Sequence, residues 1–100
     1  VYPGARNVAK NLIAEDGSLG IRLCKDAFCS SLIHTVNRPL VSTSANFSGQ
    51  PTPTNFGEIS PELIKLVDYV VEYRQKDVGK SRPSSIIRLG LDGRVEILRK

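Results

Sequence analysis

The 100-residue sequence contains only two cysteines, one histidine, three tyrosines and three phenylalanines. Each shortage removes a class of function. Cys24 and Cys29 are too few and too close for the disulfide framework of a small secreted domain. They read as small hydrophobes of a reducing, cytoplasmic compartment. A zinc site recruiting His34 lacks a second Cys or His pair to complete a tetrahedral set. Nor do the few aromatics interleave with basic residues, as base-stacking platforms do. No apolar run approaches the ~18 residues that cross a bilayer, which excludes a membrane helix. The absence of a G-x-x-x-x-G-K-[ST] loop excludes P-loop nucleotide binding, and no serine has an implied His–Asp partnership. Val1-Tyr2-Pro3-Gly4 carries neither an initiator Met nor a charged leader with an apolar stretch. That start predicts no signal peptide, and a true beginning further upstream. Internal repeats and low-complexity tracts are absent.

What remains is ordinary soluble composition, with 40% hydrophobic and 24% charged residues and a net charge of +4. The positive balance suits a phosphate-bearing partner, but the basic residues are scattered, as on any solvated surface. Pro3-Gly4 and Asp16-Gly17 mark turns around a loosely helical stretch. Leu19-Gly20-Ile21-Arg22-Leu23 alternates as a strand does. Asp26 is an N-cap for a helix to about Asn37, with Phe28, Cys29, Leu32, Ile33 and Val36 on one stripe. Pro39 stops the helix, and Leu40 to Thr43 reads as a short buried strand. Ser60 and Pro61 open a second helix whose Leu63, Ile64, Leu66 and Val67 are predicted to face inward. Asp68 to Glu72 reads as a strand. Ser85 to Leu89 and Val95 to Leu98 form a hairpin about Asp92-Gly93.

Interleaved helices and strands give an α/β or α+β class over a single domain, residues 1–100. Four or five strands with two helices make that domain thin, and its apolar faces predict a missing partner half or self-association. The stretch Ser44 to Thr54 stands apart: rich in Ser, Thr, Asn, Gly and Pro, almost uncharged, and placed directly after a strand. Loops held at the end of a rigid strand are where sites usually sit.

Leu40-Val41-Ser42-Thr43-Ser44-Ala45-Asn46-Phe47-Ser48-Gly49 resembles the signature loop of the YrdC-type threonylcarbamoyl-AMP synthases, P-[IL]-V-S-T-S-A-N-x-S-G. Three further blocks fall in that family's order. Gly20-Ile21-Arg22 is similar to its G-[IV]-R strand, Pro83-Ser84-Ser85-Ile86-Ile87 to its P-S-T-I-[IV], and Val95 to Arg99 to its terminal strand ending on arginine. A ten-residue loop with three ordered companions is far more specific than a lone motif. The resemblance runs from about Pro3 to Arg99, the C-terminal half of the family pattern. The Lys-x-Arg pair of the N-terminal half has no counterpart here. Pro-Gly-Ala-Arg stands for the usual P-G-P-x-T, and Leu23-Cys24-Lys25-Asp26 for V-P-x-H.

The resemblance implies a twisted mixed sheet flanked by helices. It implies an ATP-using reaction that joins L-threonine, bicarbonate and ATP into threonylcarbamoyl-AMP and pyrophosphate, for the modified adenosine of tRNA. ATP, with Mg2+, is implied as a substrate, with no tightly bound cofactor. By this resemblance Arg22, Asn46, Thr54 and Arg99 contact ATP, and Ser44 and Ser84 the threonine side. None has a covalent role. The residue types suit such chemistry. Small hydroxyl and amide side chains leave backbone N–H groups open to anions, and Ser44 and Asn46 share a side if the loop is extended. Arg22, after a glycine, offers a bidentate grip on phosphate or carboxylate. Lys80 and Arg82 are weaker candidates. Two other readings stay open: a module of the same fold that binds double-stranded RNA or tRNA, as a translation factor would, and an accessory carbamoyl-transferring homologue. The 100 residues alone are expected to make no threonylcarbamoyl-AMP.

Overall fold

A computed structural model describes all residues, 1–100, and divides them into two compact units. The first joins Val1–Arg38 to Ser84–Lys100, and the second is Pro39–Pro83. The mixed helix-and-strand class expected from the sequence holds: two short α-helices, two 3-10 turns and a two-stranded antiparallel sheet.

In the first unit, helix α1 spans Ala27–Val36. The Asp26 carboxylate accepts the Cys29 N–H at 2.9 Å, satisfying one of the amide donors that a helix start leaves orphaned. The helix ends at Asn37, whose left-handed φ of 58° suits a residue tolerant of that region. Asp26 also accepts a hydrogen bond from the Cys29 thiol. That bond, with partial burial and the neighbouring Cys24, pushes the thiol above its ordinary value of 9.0.

Strands β1 (Ile86–Leu89) and β2 (Val95–Arg99) pair through Ile87 with Ile97, Arg88 with Glu96 and Leu89 with Val95. The register breaks between Ile86 and Ile87, where Ile86 meets Arg99 and Leu98 becomes the extra residue. Arg88 and Glu96 approach to 3.8 Å on one face. Ile87, Leu89, Val95 and Ile97 share the other. The turn is longer than an Asp-Gly pair: Gly90 N–H reaches the Arg94 carbonyl at 2.8 Å, and the Asp92 carboxylate takes the Arg94 N–H at 3.0 Å. Gly93 supplies the φ of 82° that the turn needs.

The other edge of β1 is occupied. Leu89 N–H donates to the Val1 carbonyl at 2.9 Å, and the Val1 ammonium to the Ile87 carbonyl. Tyr2 and Leu19 then exchange both backbone bonds, at 2.8 and 3.0 Å. The predicted strand 19–23 reduces to this one bridge, since beyond Leu19 the chain has no ladder partner and a strand exists only by pairing. An Asx turn follows Ala14, with the Asp16 carboxylate accepting from Ser18 N–H and hydroxyl at 3.0 and 2.6 Å.

In the second unit, helix α2 spans Pro61–Leu66, with Ser60 at the cap position but no side-chain cap bond. Leu66 is 71% exposed, and Val67 falls outside the helix, so the expected inward face is incomplete. Leu40 to Thr43 and Asp68 to Glu72 carry no ladder and form no strands. Val41 and Tyr69 stand open to solvent. Apolar character alone does not make a strand when its N–H and C=O groups find no neighbour. No hydrophobic residue of either unit is fully buried.

Candidate functional site

The six residues implied as ligand contacts divide between the units: Arg22, Ser84 and Arg99 in the first, Ser44, Asn46 and Thr54 in the second. In the second unit the loop after Thr43 folds on itself. Gln50 N–H donates to the Phe47 carbonyl at 3.0 Å, and Gly49 takes a φ of 82° to allow the turn. Asn46 fastens this turn from inside, its amide Nδ2 donating to the Phe47 carbonyl at 2.9 Å and the Gln50 carbonyl at 3.2 Å. Both amide hydrogens are thereby used, while Oδ1 is buried with no hydrogen-bond partner. A buried acceptor left this way is costly unless something donates to it.

Asn46 borders a recess of about 240 Å3, lined also by Ala45, Gln50, Pro51, Thr52, Pro53, Glu58 and Ser60. Ser44 is exposed and lies outside this lining, so the shared side expected for Ser44 and Asn46 is absent: the loop turns rather than running extended. Thr54 is half-buried, and its N–H and hydroxyl both donate to the Glu58 carboxylate, at 2.8 and 3.0 Å. Its carbonyl accepts from Ser81 N–H at 3.0 Å and Ser81 hydroxyl at 2.8 Å. The two Thr54 donors hold the Glu58 carboxyl below the usual 4.5, with Lys80 adding a little in the same direction.

The Glu58 contact was not foreseen, although the sequence carries its signal. Asn55-Phe56-Gly57-Glu58 has the spacing of a capping box. Asn55 caps the 3-10 turn Phe56–Glu58 by accepting Glu58 N–H at 3.2 Å. The Glu58 side chain reaches one residue further back than usual, to Thr54.

In the first unit, Arg99 and Ser84 are brought together: Nε and Nη2 of Arg99 donate to the Ser84 carbonyl at 2.8 and 2.6 Å. Arg22 is exposed on irregular chain, as is the Ser84 side chain. His34 is exposed on α1. A larger open recess of about 500 Å3 follows Glu72, Arg74, Gln75, Lys76 and Asp77. It contains none of these six residues, and its charges include the Arg74–Asp77 ion pair at 2.6 Å, the mark of a solvated turn. No helix is long and apolar enough to cross a membrane.

Comparison with known proteins assigns the chain to one group. The Sua5/YciO/YrdC family model, described as "Telomere recombination", matches residues 1–100. The chain belongs to that family. A Methanocaldococcus jannaschii protein, provisionally named a threonylcarbamoyl-AMP synthase, is 38% identical over 90 residues, covering 87% of this chain and 39% of the relative. The threonylcarbamoyl-AMP synthase of Pseudoalteromonas translucida is 30% identical over 95 residues, 95% of this chain and 49% of its own. That of Stenotrophomonas maltophilia is 26% identical over the same length, 50% of its own. The chain thus spans half or less of the length of these relatives. No solved structure matches it.

Proposed function

We propose that this chain is part of an enzyme that makes threonylcarbamoyl-AMP and pyrophosphate from L-threonine, bicarbonate and ATP, for tRNA modification. The observation that carries the reading is the Asn46-fastened loop in a chain matched end to end by the family. The names of its relatives supply the reaction class.

In this reaction a carboxylate oxygen of N-carboxy-threonine attacks the α-phosphorus of ATP, and the bond to the departing pyrophosphate breaks. Both reactants are anions, so the site must offer cations and N–H groups and keep out water. Arg22, Asn46, Thr54 and Arg99 are assigned to ATP, and Ser44 and Ser84 to threonine. Asn46 is the best supported of these, because it borders a recess and carries a buried acceptor without a partner. Arg99 holds the Ser84 carbonyl, which fixes the backbone beside one threonine-side residue. Magnesium enters this reading with ATP, as the usual counter-ion of its phosphates.

The test uses the full-length protein, supplied with threonine, bicarbonate and ATP. Pyrophosphate release should require all three, with threonylcarbamoyl-AMP identified by mass spectrometry. Asn46→Ala should lower kcat/KM about tenfold or more, because it releases the turn held at the Phe47 and Gln50 carbonyls and removes the Oδ1 acceptor beside the recess. Pyrophosphate release independent of threonine, or full activity in a folded Asn46→Ala protein, would refute the reading.

A further inference from the structure

We infer that Glu58 is a positioning residue for the nucleotide recess, acting through Thr54 on the wall formed by Gln50, Pro51, Thr52 and Pro53. The inference rests on the synthase reading for its substrate. Its geometry stands apart from that reading.

The wall is a span with little to hold itself in place. Pro51 and Pro53 have no N–H to donate, and proline stiffens a segment without anchoring it. Its position is therefore set at its two ends. At the first end, the Gln50 carbonyl accepts from Asn46 Nδ2 at 3.2 Å and the Gln50 N–H donates to Phe47. At the second, Thr54 is held by every polar group it has. Its N–H and hydroxyl go to Glu58, and its carbonyl takes both donors of Ser81.

Both Thr54 donors converge on the same oxygen, Oε2 of Glu58. Such charge-assisted bonds are stronger than neutral ones, and a shared acceptor fixes the two donors relative to each other. Glu58 also lines the recess itself, so the residue that anchors the wall shares that lining with Asn46. Because the Thr54 hydroxyl hydrogen is spent on Glu58, Thr54 donates to a ligand only by giving up that bond, although its oxygen can still accept. While the bond holds, Thr54 also contributes the shape it gives the wall.

Because one oxygen does the work, glutamine can stand in for glutamate, while alanine cannot. In the full-length protein, Glu58→Ala should raise KM for ATP about tenfold, leaving kcat and KM for threonine within about twofold. Glu58→Gln should restore KM for ATP to within about twofold of wild type, a rescue that mere loss of folded protein would not give. Amide hydrogen exchange supplies a readout independent of turnover: the Thr54 N–H should exchange about tenfold faster in Glu58→Ala and near the wild-type rate in Glu58→Gln. If Glu58→Ala frees the Thr54 amide but leaves KM for ATP unchanged, the positioning role is overturned and the synthase reading survives. If wild type makes no threonylcarbamoyl-AMP, the synthase reading falls. The exchange arm then decides for Glu58, since an unchanged Thr54 rate in Glu58→Ala overturns the clamp.

Discussion

Asp26 carries two bonds from one residue, and replacing it in two ways separates them. Its carboxylate accepts the Cys29 N–H at 2.9 Å, capping α1, and also accepts the Cys29 thiol, which raises that thiol above 9.0. Asp26→Ala removes both. Loss of an N-cap costs about 1 kcal/mol, which multiplies opening of the first helical turn roughly fivefold. Asp26→Asn keeps an oxygen for the N–H, and Asn caps as well as Asp does, but the negative charge facing the thiol is gone. Hydrogen exchange at Phe28, Cys29 and Ser30 should therefore quicken about fivefold in Asp26→Ala and stay unchanged in Asp26→Asn. Iodoacetamide labelling of Cys29, followed by mass spectrometry across pH 7 to ~10, reads the second bond, because only the thiolate reacts. A thiol at the ordinary 9.0 is about one-tenth thiolate at pH 8, and Cys29 must fall below that in wild type. Both variants should label faster at pH 8 than wild type. Wild-type labelling rates in Asp26→Asn, or unchanged exchange in Asp26→Ala, would show that Asp26 does not act as described.

Two further outcomes follow from local geometry. Asp16 is held below its ordinary 3.8, first by the Ser18 hydroxyl and then by the Ser18 N–H, as Glu58 is held below 4.5 by Thr54. A lowered folded pKa means stabilisation present above the ordinary value and lost as pH falls through the folded one. The Ser18 and Thr54 amide resonances should therefore titrate with midpoints below 3.8 and 4.5, and midpoints at or above those values would contradict the assigned bonds. Gly93→Ala should destabilise the β1–β2 hairpin by about 1 kcal/mol through backbone strain alone, since φ is 82° and an added Cβ meets nothing within 4 Å. Exchange of the Glu96 amide, which faces Arg88 in the ladder, measures that loss, and no change would count against a left-handed Gly93.

The legible parts of the fold are those fixed by local chemistry. Asp26 as cap, the stop after Val36, the Asp16-Gly17 turn and the 86–89/95–99 hairpin all depend on residues within a few positions of each other. The strands expected at 40–43 and 68–72 required a distant partner, which the local pattern of Val, Ile and Leu cannot specify. The same division runs through the site. The Ser-Thr-Ser-Ala-Asn loop was readable from composition and resemblance, and Asn46 does border a recess. A shared side for Ser44 and Asn46 required an extended loop, whereas the bonds of Asn46 and the left-handed Gly49 turn it, and Ser44 lies outside the recess lining. Glu58 was passed over because it lies outside the signature, in a 3-10 turn whose capping-box spacing alone announces it.

The seat of Val1 against β1 sets an order in time. Val1 and Ile87 lie 86 positions apart in the chain, and Tyr2 carries the same connection on to Leu19. On a ribosome, residues 39–83 emerge before a single residue of the hairpin exists. The contact of Val1 with β1 must therefore wait until Leu89 has left the exit tunnel, whereas Tyr2 can pair with Leu19 as soon as both have emerged. Closing a loop of that span costs roughly 4 kcal/mol in chain entropy, against which a lone hairpin offers little. Pairing of the hairpin with Val1 is then a late event of folding. Until Val1 docks, the edge of β1 at Ile87 and Leu89 presents unpaired backbone groups, and it is this edge that a newly made hairpin needs shielded from its neighbours.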